Sequence, residues 1–369
     1  MPVITLLKLA APACLALVAW SAPGRGQGDP SVRQVATLTS PRSAHTATAL
    51  PSGEVMIVGG MANEGANLAS AELFDPARNA VRAVGALAVP RASHTATPLR
   101  NGRVLIAGGY NGEYLSSLEV FDPATRRFSP AGALTEGRSG HTATLLPDGR
   151  VLLIGGNGPG WSFLRTAELY DPATGRSEPV GSMEVPRAAH TATLLADGRV
   201  LVVGGHAGRR QEMVVHASAE AFNPSTRRFE PAGALATARH KHDAVRLPDG
   251  RVLVLGGADR TDRTFLASTE IHDPRAGGFT PGPSMANRRY KINGTTVLLP
   301  GGEVLVTAGA PAAELLDAGA RGFREVPGRF PEGYHFPAVA PLEGGDVLIT
   351  GGYGDGIRST AGIWRFNRD

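Results

Sequence analysis

The 369-residue chain contains one cysteine, Cys14, and it lies in the apolar N-terminal stretch. Everything after it lacks the material for a disulfide scaffold, a cysteine-ligated metal site or a cysteine nucleophile. Lysine is nearly as scarce: three of the 37 basic residues are Lys, namely Lys8, Lys241 and Lys291. The arginines are scattered rather than run together and the net charge is +4, so nucleic-acid binding is not suggested despite a pI of 9.5. GxGxxG, Walker A and HExxH segments are all absent, and the recurrent HTAT has no nucleophile-elbow context. What the chain has in excess is turn residues. Its 48 Gly and 28 Pro make up about a fifth of the sequence, against about 12% in average proteins. With 42% apolar residues there is still material for a core, and the combination points to many short strands.

Residues 1–21, MPVITLLKLAAPACLALVAWS, carry one charge, Lys8, ahead of the apolar run Leu9–Trp20, which Pro12 interrupts. A spanning helix needs about 20 apolar residues, so the segment is expected to be an export signal. Small residues at Ala19 and Ser21 offer cleavage before Ala22. A lipid anchor through Cys14 and an uncleaved anchor are the lesser readings. Residues 22–31 are expected as a flexible lead-in and 32–369 as the folded domain. The mature protein is then secreted or periplasmic, with no integral membrane span.

Self-comparison organises the rest. RSAHTATALPSGEVMIVGG from Arg42 nearly superimposes on segments from Arg91, Arg138 and Arg187, and the segment from Arg239 follows closely. Degenerate copies start at Lys291 and Tyr334. Each copy reads as a short alternating segment, a tight SG, NG, DG or GG turn, and an apolar run buried on both faces. A loop of varying length leads to AELFDP or its echoes, and an Asp-Pro or Asn-Pro turn to a fourth strand such as Phe128–Leu134. A four-stranded antiparallel unit repeated about an axis is a propeller blade. Val32–His45 matches Val81–His94 almost residue for residue, whereas the chain ends at Ile363–Asn367 in a third strand. The N-terminal strand is therefore expected to complete the last blade and leave no open edge.

The paired glycines after an apolar strand, the E-x-[FY]-D-P and the R-x-x-H resemble the kelch repeat. The implied fold is all-β: a seven-bladed kelch-type β-propeller with four antiparallel strands per blade, closed by the N-terminal strand. The usual Trp near the end of most repeats is missing, and Phe128, Phe229, Phe279 and Phe323 stand in its place.

Repeated polar residues read as architecture. His45, His94, His141, His190 and His242 share one position, and each is expected between neighbouring blades, bonded to a backbone group. Around a wide channel they lie too far apart to converge on one metal ion. Glu72, Glu119, Glu168, Glu220, Glu270 and Glu314 share a third-strand position; Arg42, Arg91, Arg138, Arg187, Arg239 and Lys291 precede the inner strands. In the seventh copy Trp364 and Tyr334 replace both partners. Joint loss implies a repeated ion pair, because a buried charge stripped of its partner costs several kcal/mol.

Function is expected where the repeat breaks down. Second-to-third-strand loops and fourth-to-first connections share one face, and the loops vary. Candidate binding residues there are Tyr110, Tyr114, Trp161, Phe163, Arg165, His206, Arg209, Arg210, Asp259, Arg260, Arg263, Arg289, Tyr290, Tyr334, His335 and Tyr353. Aromatics beside Arg suit a sugar ring, a carboxylate or a peptide. The leading expectation is a monomeric, non-enzymatic module that binds a protein or glycan and uses no cofactor or metal. The Ser-x-Asp-x-Gly-x-Thr-Trp boxes of sialidase-type propellers are absent. The Tyr–Cys cross-link of galactose oxidase, a kelch-propeller copper enzyme, cannot form in a mature chain without Cys. The alternative is a sugar-active enzyme resembling kelch-type sialic-acid epimerases, with His206, His335, Glu212 or Asp259 as acid or base. An enzyme should show titratable groups converging within hydrogen-bond reach; a binder should show a broad face rich in aromatics and Arg. A third reading is a spacer whose partner domain lies on another chain.

Overall fold

The computed structural model describes residues 30–368, so the expected export signal and all but the end of the lead-in lie outside the described residues. Seven four-stranded antiparallel sheets form the ring. In blade 1 the strands are Thr46–Ala49, Val55–Val58, Ser70–Asp75 and Ala80–Ala86, in order from the axis outward. Blades 2 to 6 repeat this order, beginning at Thr95, Thr142, Thr191, Asp243 and Thr296. Blade 7 contains Ala338–Pro341, Val347–Thr350 and Gly362–Asn367, and its outer strand is the N-terminal Ser31–Thr37. Ser31 pairs with Asn367 and Thr37 with Gly362, so the two ends of the described chain close the ring as the repeat arithmetic requires. No helix among the described residues is long and apolar enough to cross a membrane.

The second strands read VMIV, VLIA, VLLI, VLVV and VLVL, and all of their residues are buried. Such runs fit only between two apolar layers, here the neighbouring blades. The core between blades 1 and 2, for example, joins Met56, Val58 and Leu73 to Val104, Ile106 and Phe121. Phe128 packs against this cluster with its ring 4.9 Å from Phe121, which is how a side chain smaller than Trp fills the outer-strand position.

Six blades contain a buried Arg–Glu pair. Arg42–Glu72, Arg91–Glu119, Arg138–Glu168, Arg187–Glu220, Arg239–Glu270 and Arg289–Glu314 lie at 2.6–2.9 Å. Each joins the connection entering a blade to that blade's third strand, and the guanidinium also donates to backbone carbonyls, as Arg42 does to Gly59 and Ser70. The second carboxylate oxygen accepts a backbone N–H from the incoming connection, such as Thr39 to Glu72. The pair thus ties strand to strand and fastens the link to the preceding blade. The sixth cation is Arg289 and not Lys291: the connection is two residues longer than in the other copies, so counting back from the second strand lands on the wrong residue. In blade 7 the pair is replaced by Tyr334 and Trp364, buried with ring centroids 5.0 Å apart and joined by Phe330.

The histidines do lie between blades, but their partners are side-chain hydroxyls and not the backbone groups expected. His94, His141, His190 and His242 Nε2 meet Oγ1 of Thr46, Thr95, Thr142 and Thr191 in the preceding blade at 3.0–3.2 Å. His45 meets Thr350 of blade 7 at 2.8 Å across the closure. The first glycine of each pair makes room for this ring. At Gly108 (φ +60°) a Cβ would come within 2.5 Å of the Arg138 carbonyl and 2.8 Å of His141 Cε1. In blade 6 Ile292 takes the histidine's place, its Cδ1 lying 2.8 Å from where a Cβ on Gly256 would sit, and blade 5 compensates. Asp243 occupies the threonine position and accepts N–H bonds from Gly294, Thr295 and Thr296 at 2.8–3.0 Å.

Candidate functional site

The chain enters every blade through a residue in the left-handed region: Ala44, Ser93, Gly140, Ala189, Lys241, Lys291 and Phe336, all with φ between +49° and +57°. Backbone bonds link them across blades, as in Ser93 N–H to the Ala44 carbonyl at 2.9 Å, Gly140 to Ser93 at 3.0 Å and Lys241 to Ala189 at 3.0 Å. The ring closes through Ala44 to Phe336 at 3.1 Å. Blades 1 to 4 place Ala, Ser and Gly here. Blades 5 to 7 place Lys, Lys and Phe, although bulky side chains are unfavourable in this conformation. Residues strained in this way mark functional segments more often than scaffold.

Around these three residues lies a cluster from blades 4 to 7. Lys241 Nζ is 2.6 Å from Asp262 Oδ2, and His240 Nε2 is 3.1 Å from Asp262 Oδ1. Burial works to raise the Asp262 carboxyl, but its bonds to His240 and Lys241 outweigh that and hold it well below the usual range. Burial pushes His206 down to about 3, aided by neighbouring His240 and Lys241, so it is neutral at pH 7. Its ring packs between Phe163 (5.2 Å) and His240 (4.7 Å). Lys291 donates to the Tyr353 hydroxyl at 2.6 Å and lies 4.8 Å from the Tyr290 ring centroid. Tyr290 stacks on Phe265 at 3.8 Å and meets His335 at 4.7 Å, and His335 meets Tyr353 at 5.6 Å.

A second cluster lies on the loops of blades 2 to 4. Tyr110, Tyr114 and Trp161 have mutual ring distances of 5.1, 5.8 and 5.7 Å. The Arg209 guanidinium lies over the Trp161 ring at 3.7 Å. Trp161 is 52% exposed, while the other described tryptophan, Trp364, is buried. Beyond this platform, Arg210, Gln211 and Met213 of the blade 4 loop face Arg260, Thr261, Asp262 and Arg263 of the blade 5 loop across an open cavity of about 570 Å³. Arg165 is exposed on the blade 3 loop.

Most of the sequence candidates therefore gather on one face, and two do not. Arg289 and Tyr334 are buried blade residues, the first paired with Glu314 and the second packed on Trp364. Asp259 turns onto its own loop, accepting from Thr261 N–H and Oγ1 at 2.9 and 2.7 Å. The mouth residues His240, Asp262, Phe265, Lys291, Lys241 and Phe336 are not among those binding candidates. The signal that finds the last two is the position two residues after each repeated Arg or its counterpart, where small residues give way to large ones.

A family model described as the Kelch motif matches residues 91–135, the whole of blade 2 with the connections flanking it. Together with seven blades closed by the N-terminal strand, this decides the family. The chain is a kelch-repeat propeller. No curated protein sequence is similar to it. Among solved structures it resembles a fungal alcohol oxidase of the AA5 family in complex with copper, with a TM-score of 0.73 and 15% identity over 93% of this chain and 76% of that one. At that identity the likeness concerns the fold. The residues of the kelch propeller do not fit a copper site of the cysteine cross-linked kind, since the one cysteine is Cys14, outside the described residues. Among the described residues no group of three or more His, Cys, Asp or Glu is arranged to hold a metal.

Proposed function

We propose that this kelch propeller is an exported, monomeric binding module that captures a glycan or protein ligand on its loop face. The supporting observation is the exposed platform of Trp161, Arg209, Tyr110 and Tyr114, set on loops that differ in every blade and held by a scaffold that repeats in every blade. Flat π surfaces backed by a guanidinium accept a sugar ring or a peptide side chain and present charge beside it. Trp161 also supplies the assay, being the exposed one of the two described tryptophans. A ligand on this face shifts and shields Trp161 emission, and Trp161→Phe abolishes the change. Saturable ligand binding that leaves Trp161 emission and quencher access unaltered refutes the reading.

One observation favours a second reading, a sugar-active enzyme. His240, Lys241 and Asp262 converge within hydrogen-bond reach, although they are not the acid–base candidates the sequence offered. On that reading Asp262→Asn abolishes turnover of a sugar by the wild-type protein. Turnover that persists in the variant removes this support.

A further inference from the structure

The loops of blades 3 to 5 present Arg165, Arg209, Arg210, Arg260 and Arg263 against Glu212, Asp259 and Asp262. Two of those acids are engaged: Asp262 by Lys241 and His240, and Asp259 by its own turn. Arg210, Arg260 and Arg263 are exposed around the cavity between the blade 4 and blade 5 loops, and no carboxylate among the described residues lies within salt-bridge reach of them. Six other arginines are buried against glutamate. A planar guanidinium with free donors matches a carboxylate in two-pronged fashion. The cavity is about 570 Å³ and open, and Met213 is its one apolar lining residue. Arg209, next in the chain to Arg210, lies over Trp161, so the aromatic platform and the basic groove are continuous along one path.

We infer that the ligand of this face is an acidic polysaccharide. One sugar ring stacks at the Trp161–Tyr114 platform while carboxylates of the following residues engage Arg210, Arg260 and Arg263 in the groove. The inference rests on the binding reading above and narrows it to one class. A chain that repeats both a flat ring and a carboxylate offers what the two halves of the path require. An acidic peptide offers only the charge.

The test is a titration of the protein with polygalacturonate, dextran and poly-L-glutamate, read by Trp161 emission and by calorimetry. The wild type binds polygalacturonate, ignores dextran and binds poly-L-glutamate at least tenfold more weakly. Affinity for polygalacturonate falls as salt screens the arginines. Arg210→Gln/Arg260→Gln/Arg263→Gln weakens binding at least tenfold and flattens the salt dependence, with an unchanged melting temperature showing that the fold is intact. Equal binding of dextran, or preference for poly-L-glutamate, overturns the inference. So does a groove variant that binds polygalacturonate as the wild type does. If in that case Trp161→Ala still abolishes capture, the loop-face reading stands and only the charge argument falls. Loss of capture in neither variant removes both.

Discussion

Tyr334 and Trp364 pack with ring centroids 5.0 Å apart at the site where each of the other six blades holds a buried arginine and glutamate. Replacing both members of an ion pair by apolar side chains leaves no uncompensated charge, whereas replacing one strands the other in a low-dielectric site. Blade 7 shows that the ion pair is one of two solutions to the same packing problem.

The corresponding experiment belongs in blade 3. Arg138→Met leaves Glu168 buried with only the Thr135 N–H and is expected to cost about 3–5 kcal/mol. Arg138→Met with Glu168→Leu is expected to cost less than Arg138→Met alone. Urea unfolding of the wild type and the two variants checks this; a double variant no more stable than Arg138→Met contradicts it.

The paired glycines give a sharper steric prediction. Gly108→Ala brings a Cβ against the Arg138 carbonyl and His141 in a left-handed backbone, for an expected loss of about 2–5 kcal/mol. Gly53→Ala, at φ +81° with nothing within 4 Å, is expected to cost only about 1–2 kcal/mol. Equal melting temperatures for the two variants would show that the interblade contact is slack.

The histidine ring sets a pH limit. Burial lowers His94 and His190 to about 3, while in the unfolded chain they titrate near 6.5. The unfolded chain therefore binds more protons across that window. Stability from these groups is complete above about pH 6.5 and falls with pH below it, by about 1.4 kcal/mol per unit for each histidine. The urea midpoint is expected to drop steeply as pH decreases from 6.5 to 4, with a shallower slope in His94→Gln. A flat profile in the wild type contradicts the assignment.

Asp243 acts with the opposite sign. Burial raises it to about 6 even though backbone N–H groups of blade 6 bond to it. A carboxyl that is more basic in the fold than in the unfolded chain binds its proton more tightly there. Its contribution is most favourable below about pH 4 and is lost as pH rises through about 6. The stability difference between wild type and Asp243→Asn, plotted against pH, should decline across that window. A rising difference would mean that the N–H bonds from Gly294, Thr295 and Thr296 set the titration instead.

The ring was legible because seven copies of one unit align without gaps in their strands, and the Arg–Glu pair was legible because both members vanish together. Where the reading failed, the cause was local geometry. Arg289 was misplaced because the connection before blade 6 is two residues longer, and a fixed offset cannot register a bulge. The histidine partners were misassigned because the threonines that receive them belong to a different blade, some 46 to 51 positions earlier in four of the five cases. Asp243 gave no signal of its own, since its role exists only opposite Gly294. Lys241, Lys291 and Phe336 follow Arg239, Arg289 and Tyr334 by two residues, and the positive φ they share with Ala44 and Gly140 is what places them in one ring.

The most direct test of the loop face as the recognising surface is capture by a variant carrying Trp161→Ala, Arg209→Ala, Arg210→Ala and Arg263→Ala. Glycan-array and pull-down binding should be abolished while the melting temperature stays within a few degrees of the wild type, because none of the four supports a blade. Undiminished capture by a folded quadruple variant would place recognition elsewhere on the propeller.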